Sequence, residues 1–341
     1  MEKVRLGRTE LMVSRIALGG IPIMRVSPED AAEIVKAALG WGINFIDTAN
    51  SYQDSEAKIG GAIKGIPREE LVLATKSTAK DKQTLLQHLD LSLKHLGVDY
   101  LDIYQLHNVS QEKCDAVFGP NGAYEGLVEA VKAGKVRFPA FSSHNIPFSV
   151  KLMKENQFDV VQLPFNYIDN SAAYEAIPLA SELDMGFIAM KPLGGGRLDN
   201  AGLSFRFLQA YDSIIPDPGI EKVAELREII EIVEAGQTLT DEDRQEIRRI
   251  QKELGDSWCH RCDYCQPCQQ GIPISSVLVG KSFLKRCTLE GARDFMGDGI
   301  TKARTCIECE ECVARCPYDL PIPALLKENI AYWDAQFGDA N

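Results

Sequence analysis

Short apolar runs alternate with amphipathic stretches over the larger part of the chain, from about residue 15 to about residue 220. Eight runs have the length and composition of buried strands: Arg15–Leu18, Asn44–Asp47, Leu71–Thr75, Asp102–Leu106, Phe138–Ser142, Val160–Leu163, Gly186–Met190 and Ser213–Ile215. The stretches between them show helical periodicity, as in Pro28–Leu39, Lys82–Leu96, Tyr124–Ala133, Phe148–Asn156 and the shorter Ser204–Gln209. Alternation of strands and helices indicates a parallel sheet, and eight strands within about 200 residues fit a closed barrel better than an open sheet. The pattern therefore predicts the α/β class and a (β/α)8 TIM barrel.

A hairpin precedes the first strand, and helical patterns follow the last one. Val4–Val13 carries Gly7-Arg8-Thr9 between two short apolar runs, which is typical of a β-hairpin that would plug the bottom of the barrel. Beyond the eighth strand, the helical patterns are Val223–Val233, Thr240–Leu254, Ile274–Phe295 and Pro321–Trp333. We therefore assign residues 1–235 to the barrel and residues 236–341 to a helical linker and a small, mostly α-helical domain.

The composition limits the location and the partners of the chain. A net charge of -12 argues against a nucleic-acid partner, which needs a basic face. No run of about 18 apolar residues is present, so no membrane span is expected. The first five residues, Met1-Glu2-Lys3-Val4-Arg5, lack the apolar core of a signal peptide, and the expected location is the cytoplasm. In a cytoplasmic chain of this size, ten cysteines indicate metal binding rather than disulfides.

Reactive side chains stand where three neighbouring strands of the predicted barrel end. Asp47 closes the second strand and Tyr52 follows five residues later, Lys76 follows the third strand, and His107 follows the fourth. Each residue alone has an ordinary structural explanation, such as a cap, a packed aromatic or a solvated lysine. Together, at the carboxyl-terminal rim where active sites of such barrels form, they indicate a catalytic group.

This group of residues suits the reduction of a carbonyl. A phenol has a pKa near 10, which is too high for an efficient proton donor at neutral pH. A nearby ammonium group favours the phenolate and lowers that pKa. A carboxylate beside the ammonium keeps it charged and positioned, and an imidazole can orient the substrate oxygen by a hydrogen bond. Together they would polarise and protonate a carbonyl while a hydride arrives from a cofactor.

Three sequence motifs resemble the aldo-keto reductase superfamily: Asn44-Phe45-Ile46-Asp47-Thr48-Ala49-x-x-Tyr52, Ala74-Thr75-Lys76 and Asp102-Ile103-Tyr104-Gln105-Leu106-His107. The resemblance implies a (β/α)8 barrel that binds NADP(H) or NAD(H) in extended form, without a Rossmann glycine fingerprint, and reduces a small-molecule aldehyde or ketone or oxidises an alcohol. It implies that Tyr52 is the general acid, that Lys76 and Asp47 tune it, and that His107 orients the carbonyl.

The same resemblance implies a nucleotide site on the later strands, with Ser142 and Gln162 at the carboxamide of the nicotinamide. The further candidates for cofactor binding are Ser143, Met190, Lys191, Pro192, Leu193, Gly194 and Glu228. Where many members have a tyrosine against the nicotinamide, this chain has Met190, whose soft sulfur can still pack on a ring. Beyond the eighth strand, few of the basic residues that usually hold the 2′-phosphate of NADPH are found. Lys222 and Arg227 are the candidates, and Glu225 occupies a position where an arginine is common. NADH therefore stays an alternative to NADPH.

Eight of the ten cysteines form two motifs near the C-terminus. The motifs are Cys259-x-x-Cys262-x-x-Cys265-x-x-Cys268 and Cys306-x-x-Cys309-x-x-Cys312-x-x-x-Cys316-Pro317. Two pairs of cysteines can also make a zinc site, but the second motif has the spacing and the proline of bacterial [4Fe-4S] ferredoxins, which is more specific. The first motif departs from that spacing before Cys268, and in this it resembles aldo-keto reductases with a C-terminal ferredoxin-like extension.

In ferredoxins with two clusters, the last cysteine of each motif binds the other cluster. That pattern predicts one [4Fe-4S] cluster on Cys259, Cys262, Cys265 and Cys316, and a second on Cys306, Cys309, Cys312 and Cys268. Cys114 and Cys287 are interpreted as ordinary thiols. The leading hypothesis is therefore an NAD(P)H-dependent oxidoreductase fused to an electron-transfer module, with a redox partner protein as a further candidate partner. The alternative is an electron-transfer or docking protein that uses the barrel as a scaffold.

Overall fold

The computed structural model describes residues 1–155, 157–255 and 257–338, with the side chain of Arg286 left out. The chain divides into two units, Met1–Leu239 and Thr240–Asn341. The first unit contains all strands in the described part of the chain, and the second consists of helices and loops.

Eight parallel strands form the barrel of the first unit. They are β3 (Leu18–Gly19), β4 (Phe45–Asp47), β5 (Val72–Ser77), β6 (Leu101–Leu106), β7 (Val136–Ser142), β8 (Val160–Pro164), β9 (Gly186–Met190) and β10 (Ile214–Asp217). Each strand pairs with its neighbour in the chain. Gly19 closes the ring, because it forms a parallel bridge to Gly219 and its N–H donates to the carbonyl of Pro218 at 2.9 Å. The predicted TIM barrel is thus confirmed.

Helices follow the strands, as the sequence pattern predicted. They are α1 (Pro28–Gly40), α2 (Ser55–Ala62), α3 (Lys82–Leu96), α4 (Cys114–Phe118), α5 (Ala123–Lys132), α6 (Ile146–Lys154), α7 (Ala176–Glu182), α8 (Ala201–Leu208) and α9 (Val223–Ala235). The start and end signals are local. Asp81 caps α3 by accepting from the N–H of Thr84 at 2.9 Å, and Gly97 ends it in a left-handed conformation at φ 69°. Asn156, the last residue of the predicted helix Phe148–Asn156, lies outside the described residues.

The predicted hairpin closes one end of the barrel. Strands β1 (Lys3–Arg5) and β2 (Met12–Ser14) pair in antiparallel fashion. Leu6 and Leu11 are buried in one apolar cluster with side chains from the strands, including Phe45, Ile103 and Ile188. A second apolar cluster, made by the outer faces of the strands and the inner faces of the helices, surrounds the barrel. The active-site rim is thereby left at the other end of the strands.

The second unit is a set of short helices around the two cysteine motifs. They are α10 (Asp241–Leu254), α11 (Ile274–Leu278), α12 (Gly280–Arg286), α13 (Leu289–Ala303), α14 (Glu311–Ala314) and α15 (Ile322–Phe337). The predicted helical pattern Ile274–Phe295 is broken into three pieces. Thr288 starts the third one, because its hydroxyl accepts from the N–H of Gly291 at 3.0 Å. Among the described helices of the chain, none is long and apolar enough to cross a membrane.

Candidate functional site

A buried ion pair lies at the centre of the barrel rim. The ammonium group of Lys76, on β5, donates hydrogen bonds to the carboxylate of Asp47, on β4, and to the carbonyl of Thr48 at 2.7 Å. The two charged side chains are only 2% and 3% exposed. Burial alone would lower the pKa of Lys76, but the neighbouring acidic groups, Asp47 first and then Tyr52 and Asp217, raise it above its usual value. Lys76 is therefore a charged ammonium at neutral pH.

Tyr52 and His107 lie beside this pair and are more accessible. The Lys76 ammonium is 5.3 Å from the centroid of the Tyr52 ring. The Tyr52 and His107 rings meet edge to face, with centroids 5.8 Å apart and an interplanar angle of 81°. Both residues are half-buried, whereas Asp47 and Lys76 are buried. The four predicted catalytic residues thus come together, with the phenol and the imidazole on the accessible side.

Two buried glutamines hold the carboxylate of Asp47. Gln105, on β6, donates to Oδ1 at 3.2 Å, and Gln162, on β8, donates to Oδ2 at 3.1 Å. Gln105 was not singled out by the sequence analysis, although it lies two residues before His107 and so shares its face of the strand. Among the described residues, the side-chain oxygen of Gln162 has no hydrogen-bond partner. An amide with an orphaned acceptor at this place fits the carboxamide of a nicotinamide, which has an N–H group to donate.

Asp217 is another site residue that was not predicted from the sequence. It ends β10, is 9% exposed, and its Oδ2 accepts from the same Gln162 nitrogen at 2.8 Å. Burial and then the nearby charge of Asp47 raise its pKa well above the usual value for an aspartate. The predicted strand ended at Ile215, so Asp217 was placed outside it, although its position at a strand end between Pro216 and Pro218 was the available signal.

The two predicted serines at the end of β7 make different contacts. Ser142 Oγ accepts from the backbone N–H of Asn108 at 3.0 Å. Ser143 Oγ donates to the carbonyl of Val109 at 2.7 Å and accepts from the N–H of Asn145 at 3.2 Å. Ser143 therefore joins the loops after β6 and β7.

A tight turn with the predicted residues Met190, Lys191, Pro192, Leu193 and Gly194 follows β9. Met190 ends the strand and lies in register with Asp217 of β10. Lys191 has a left-handed backbone at φ 59°, and its carbonyl accepts from the N–H of Gly194 at 2.8 Å.

The fully buried Asn166 holds this turn, because its side-chain amide donates to the Lys191 carbonyl at 3.0 Å. Asn166 was not among the residues predicted from the sequence. Its position three residues beyond the predicted end of the sixth strand gave no sign of the turn that it contacts.

The start of α9 carries acidic side chains. Glu225 Oε2 accepts from the backbone N–H groups of Glu221 at 3.0 Å and Lys222 at 3.2 Å. Glu221 also pairs with Arg25 at 3.2 Å. The guanidinium group of Arg227 lies over the Trp41 ring, 5.6 Å from its centroid. A carboxylate thus satisfies N–H groups that would otherwise attract an anion.

Glu228, the remaining predicted cofactor residue, is exposed in the second turn of α9. Among the described contacts, none involves the side chain of Glu228, which resembles an ordinary solvated residue of a helix.

In the second unit, the cysteines form two groups. Burial raises the pKa of the Cys259 thiol to about 11 and that of Cys265 to about 12. Burial also raises the pKa of Cys262, and the nearby thiol of Cys316 adds to that shift. Cys316, from the second motif, therefore lies with three cysteines of the first motif.

Cys268 lies with the other group. It lines one cavity together with Cys306, Cys309 and Cys312. Burial and the neighbouring thiols of Cys306 and Cys309 raise the pKa of Cys312. The last cysteine of each motif is thus near the first three of the other, which is the arrangement that crossed ligation requires.

The two motifs also share an unusual backbone. In each, the residues two and four positions after the first cysteine are left-handed without being glycine: Arg261 (φ 57°) and Asp263 (φ 62°), then Glu308 (φ 54°) and Glu310 (φ 60°). This conformation is uncommon for residues with a Cβ. Its repetition at matching positions indicates that both loops are shaped for the same kind of ligand.

Comparisons with known proteins agree with this architecture. The model of the aldo/keto reductase family matches residues 15–206, and that of the 4Fe-4S dicluster domain matches residues 258–321. The chain is 31% identical over 233 residues to the uncharacterized oxidoreductase YrpG of Bacillus subtilis, covering 60% of this chain and 70% of that protein. It is 26% identical over 228 residues to the NADH-specific methylglyoxal reductase of Escherichia coli, covering 58% and 69%.

Solved structures share the fold of the barrel. Aldo-keto reductase AKR11C1 from Bacillus halodurans, in its holo form, superposes with a TM-score of 0.63 at 22% identity, covering 73% of this chain and 96% of that one. The thermostable aldo-keto reductase Tm1743 gives a TM-score of 0.61 at 23% identity, covering 73% and 100%. The chain therefore belongs to the aldo/keto reductase family and carries a 4Fe-4S dicluster domain after its reductase domain.

Proposed function

We propose that the barrel is an NAD(P)H-dependent carbonyl reductase in which Tyr52 is the general acid. The observation that carries the proposal is the buried Lys76–Asp47 pair behind the half-buried Tyr52 ring. When bound, the nucleotide supplies a hydride to the carbonyl carbon. The residues of the chain supply the proton and hold the carbonyl oxygen.

The role of each side chain follows from its surroundings. Lys76 is held in its charged form, and a cation near a phenol stabilises the phenolate that forms when Tyr52 gives up its proton. Asp47 keeps the ammonium in place and is itself held by Gln105 and Gln162. His107, whose ring meets that of Tyr52 edge to face, can hydrogen-bond the same carbonyl oxygen and orient it.

The residues around the rim would hold the nucleotide. Gln162 and Ser142 would contact the carboxamide, and Met190 with the turn that follows it would lie against the ring. We propose NADH as the preferred nucleotide. A 2′-phosphate at the start of α9 would be repelled by the carboxylates of Glu221 and Glu225. It could not accept from the backbone N–H groups there, because Glu225 already accepts from them. A free ribose hydroxyl, in contrast, can donate a hydrogen bond to a carboxylate.

We propose further that the second unit carries two [4Fe-4S] clusters, one on Cys259, Cys262, Cys265 and Cys316 and one on Cys268, Cys306, Cys309 and Cys312. Burial opposes the thiolate form of four of these cysteines, and the positive charge of bound iron would compensate for that. Cys309 is exposed, so the second cluster would lie near solvent, where a redox partner protein can exchange electrons with it.

The proposal is tested with the full chain purified without oxygen. NADH is expected to quench the tryptophan fluorescence at micromolar concentration, and its oxidation is expected to depend on an added aldehyde or ketone. Nucleotide binding without turnover of any carbonyl would favour the alternative, in which the barrel is a scaffold for electron transfer.

A further inference from the structure

The carboxyl group of Asp217 belongs to the same hydrogen-bond network as the catalytic ion pair. A single nitrogen of Gln162 donates to Asp217 at 2.8 Å and to Asp47 at 3.1 Å. On the other side of β10, Gly19 of β3 makes room for this carboxyl group because it has no side chain. A Cβ at that position would lie only 2.8 Å from Asp217 Oδ1. Asp217 is therefore built into the site and does not lie on a loop at its edge.

If Asp217 were ionised, the site would hold two negative carboxylates and only one positive group. Asp47 on β4 faces it with a negative charge and Lys76 on β5 with a positive one, while Gln162 on β8, Met190 on β9 and Gly19 on β3 are uncharged. Lys76 is already bonded to Asp47. Among the described residues, Asp217 Oδ1 has no donor. When two buried carboxyl groups share one site, one of them stays protonated.

We propose that Asp217 stores a proton that it releases when the nicotinamide nucleotide in the site is oxidised. The inference rests on the proposed function, since it takes Gln162 as the residue that holds the carboxamide. The nicotinamide ring is neutral when reduced and positively charged when oxidised. Asp217 is one hydrogen bond away from Gln162, so a positive ring there favours the carboxylate form of Asp217.

The stored proton would replace the one that Tyr52 gives to the substrate. After Tyr52 protonates the carbonyl oxygen, Lys76 returns a proton to the phenolate. Asp47 accepts the proton of Asp217 and passes it to the Lys76 nitrogen. The O–H bond of Asp217 breaks and that of Tyr52 forms again, so Asp217 ends as a carboxylate and Asp47 and Lys76 are unchanged. Asp217 regains its proton from solvent when the oxidised nucleotide leaves. It acts through Lys76 and touches neither the substrate nor the reacting carbon.

The test is the number of protons released when nucleotide binds to the full chain with its clusters, followed with a pH indicator in weak buffer near neutral pH. We expect about one proton released per NAD+ bound and none per NADH bound. Asp217→Asn is expected to abolish the release while leaving NADH binding in place. Asp212→Asn is the matched control, since its carboxylate lies before the same strand but is 91% exposed, and it should release protons like the wild type.

Equal release with the two nucleotides, or release that persists in Asp217→Asn, would overturn the inference. If wild-type protein binds neither nucleotide, the proposed function fails instead. Should Asp217→Asn not fold, the wild type still decides the question. Its affinity for NAD+ is expected to rise about tenfold per pH unit below the pKa of Asp217, with no change in its affinity for NADH. Parallel pH dependences of the two affinities would contradict the proposal.

Discussion

The ammonium group of Lys76 is hydrogen-bonded to the carboxylate of Asp47 inside the barrel, and both side chains are almost fully buried. A buried ion pair of this kind contributes little net stability, but the loss of one partner leaves the other charge unpaired. The pair therefore links the chemistry of the site to the stability of the barrel.

We expect Lys76→Met to lower the free energy of unfolding of the barrel by about 3–5 kcal/mol, because Asp47 would stay buried without its cation. The double variant Asp47→Asn/Lys76→Met removes both charges and should recover most of the loss. Urea denaturation of the three proteins measures these differences. A single variant as stable as the wild type would show that the pair does not carry its charges in the folded state.

The raised pKa of Asp217 makes the stability of the barrel depend on pH. The folded state holds the Asp217 proton more tightly than the unfolded state, so this contribution is complete below the ordinary aspartate pKa. It is lost as pH rises toward the pKa of the folded state. Across that window the loss is about 1.4 kcal/mol per pH unit for one group.

Asp217→Asn has no proton to lose, so its free energy of unfolding should fall less steeply with pH than that of the wild type. Denaturation of the two proteins at a series of pH values above about 4 measures the difference in slope. Parallel curves would mean that Asp217 has an ordinary pKa in the folded protein.

The acidic start of α9 predicts a preference between nucleotides. We expect kcat/KM to be higher with NADH than with NADPH, and Glu225→Gln to narrow that difference about fivefold to tenfold, because it removes a negative charge near the expected phosphate. Glu231→Gln, an exposed position further along the same helix, is the control and should change neither value. If Glu225→Gln and its control behave alike, the 2′ position of the ribose binds elsewhere.

The cysteine groups predict the iron content. Wild-type protein purified without oxygen should hold about eight iron atoms and as much acid-labile sulfide per chain, and Cys306→Ala should lose about four of each. Cys287→Ala is the control, since Cys287 is buried but lies outside both motifs. Unchanged iron in Cys306→Ala would exclude Cys306 as a ligand. Zinc without sulfide in the wild type would show that the cysteines form structural zinc sites and not iron–sulfur clusters.

Much of the architecture could be predicted because it depends on local patterns. The sequence shows apolar runs of strand length and residues that begin and end helices, such as Asp81 and Gly97 on either side of α3. The ends of parallel strands meet at one rim, which is why Asp47, Lys76 and His107 could be grouped without a structure. The grouping of Cys316 with the first motif and of Cys268 with the second was likewise predicted, by analogy with ferredoxins that hold two clusters.

The missed residues depend on distances across the barrel. The side chain of Gln105 hydrogen-bonds Asp47, and that of Asn166 hydrogen-bonds the carbonyl of Lys191. No sequence pattern indicates which amide contacts which group. Asp217 was missed because its strand continues through Pro216, a residue that usually ends one, at a position where β10 still pairs with β9. Its altered pKa depends on Asp47, which is 170 positions away in the chain.

The measurement that tests the central claim most directly is carbonyl-dependent oxidation of NADH by the wild type and by Tyr52→Phe, with Tyr174→Phe, 81% exposed, as the control. We predict that Tyr52→Phe lowers the rate by about 10²–10⁴, because the general acid is lost, while its affinity for NADH is unchanged. Tyr174→Phe should match the wild type. A Tyr52→Phe variant that reduces carbonyls at the wild-type rate would contradict the account.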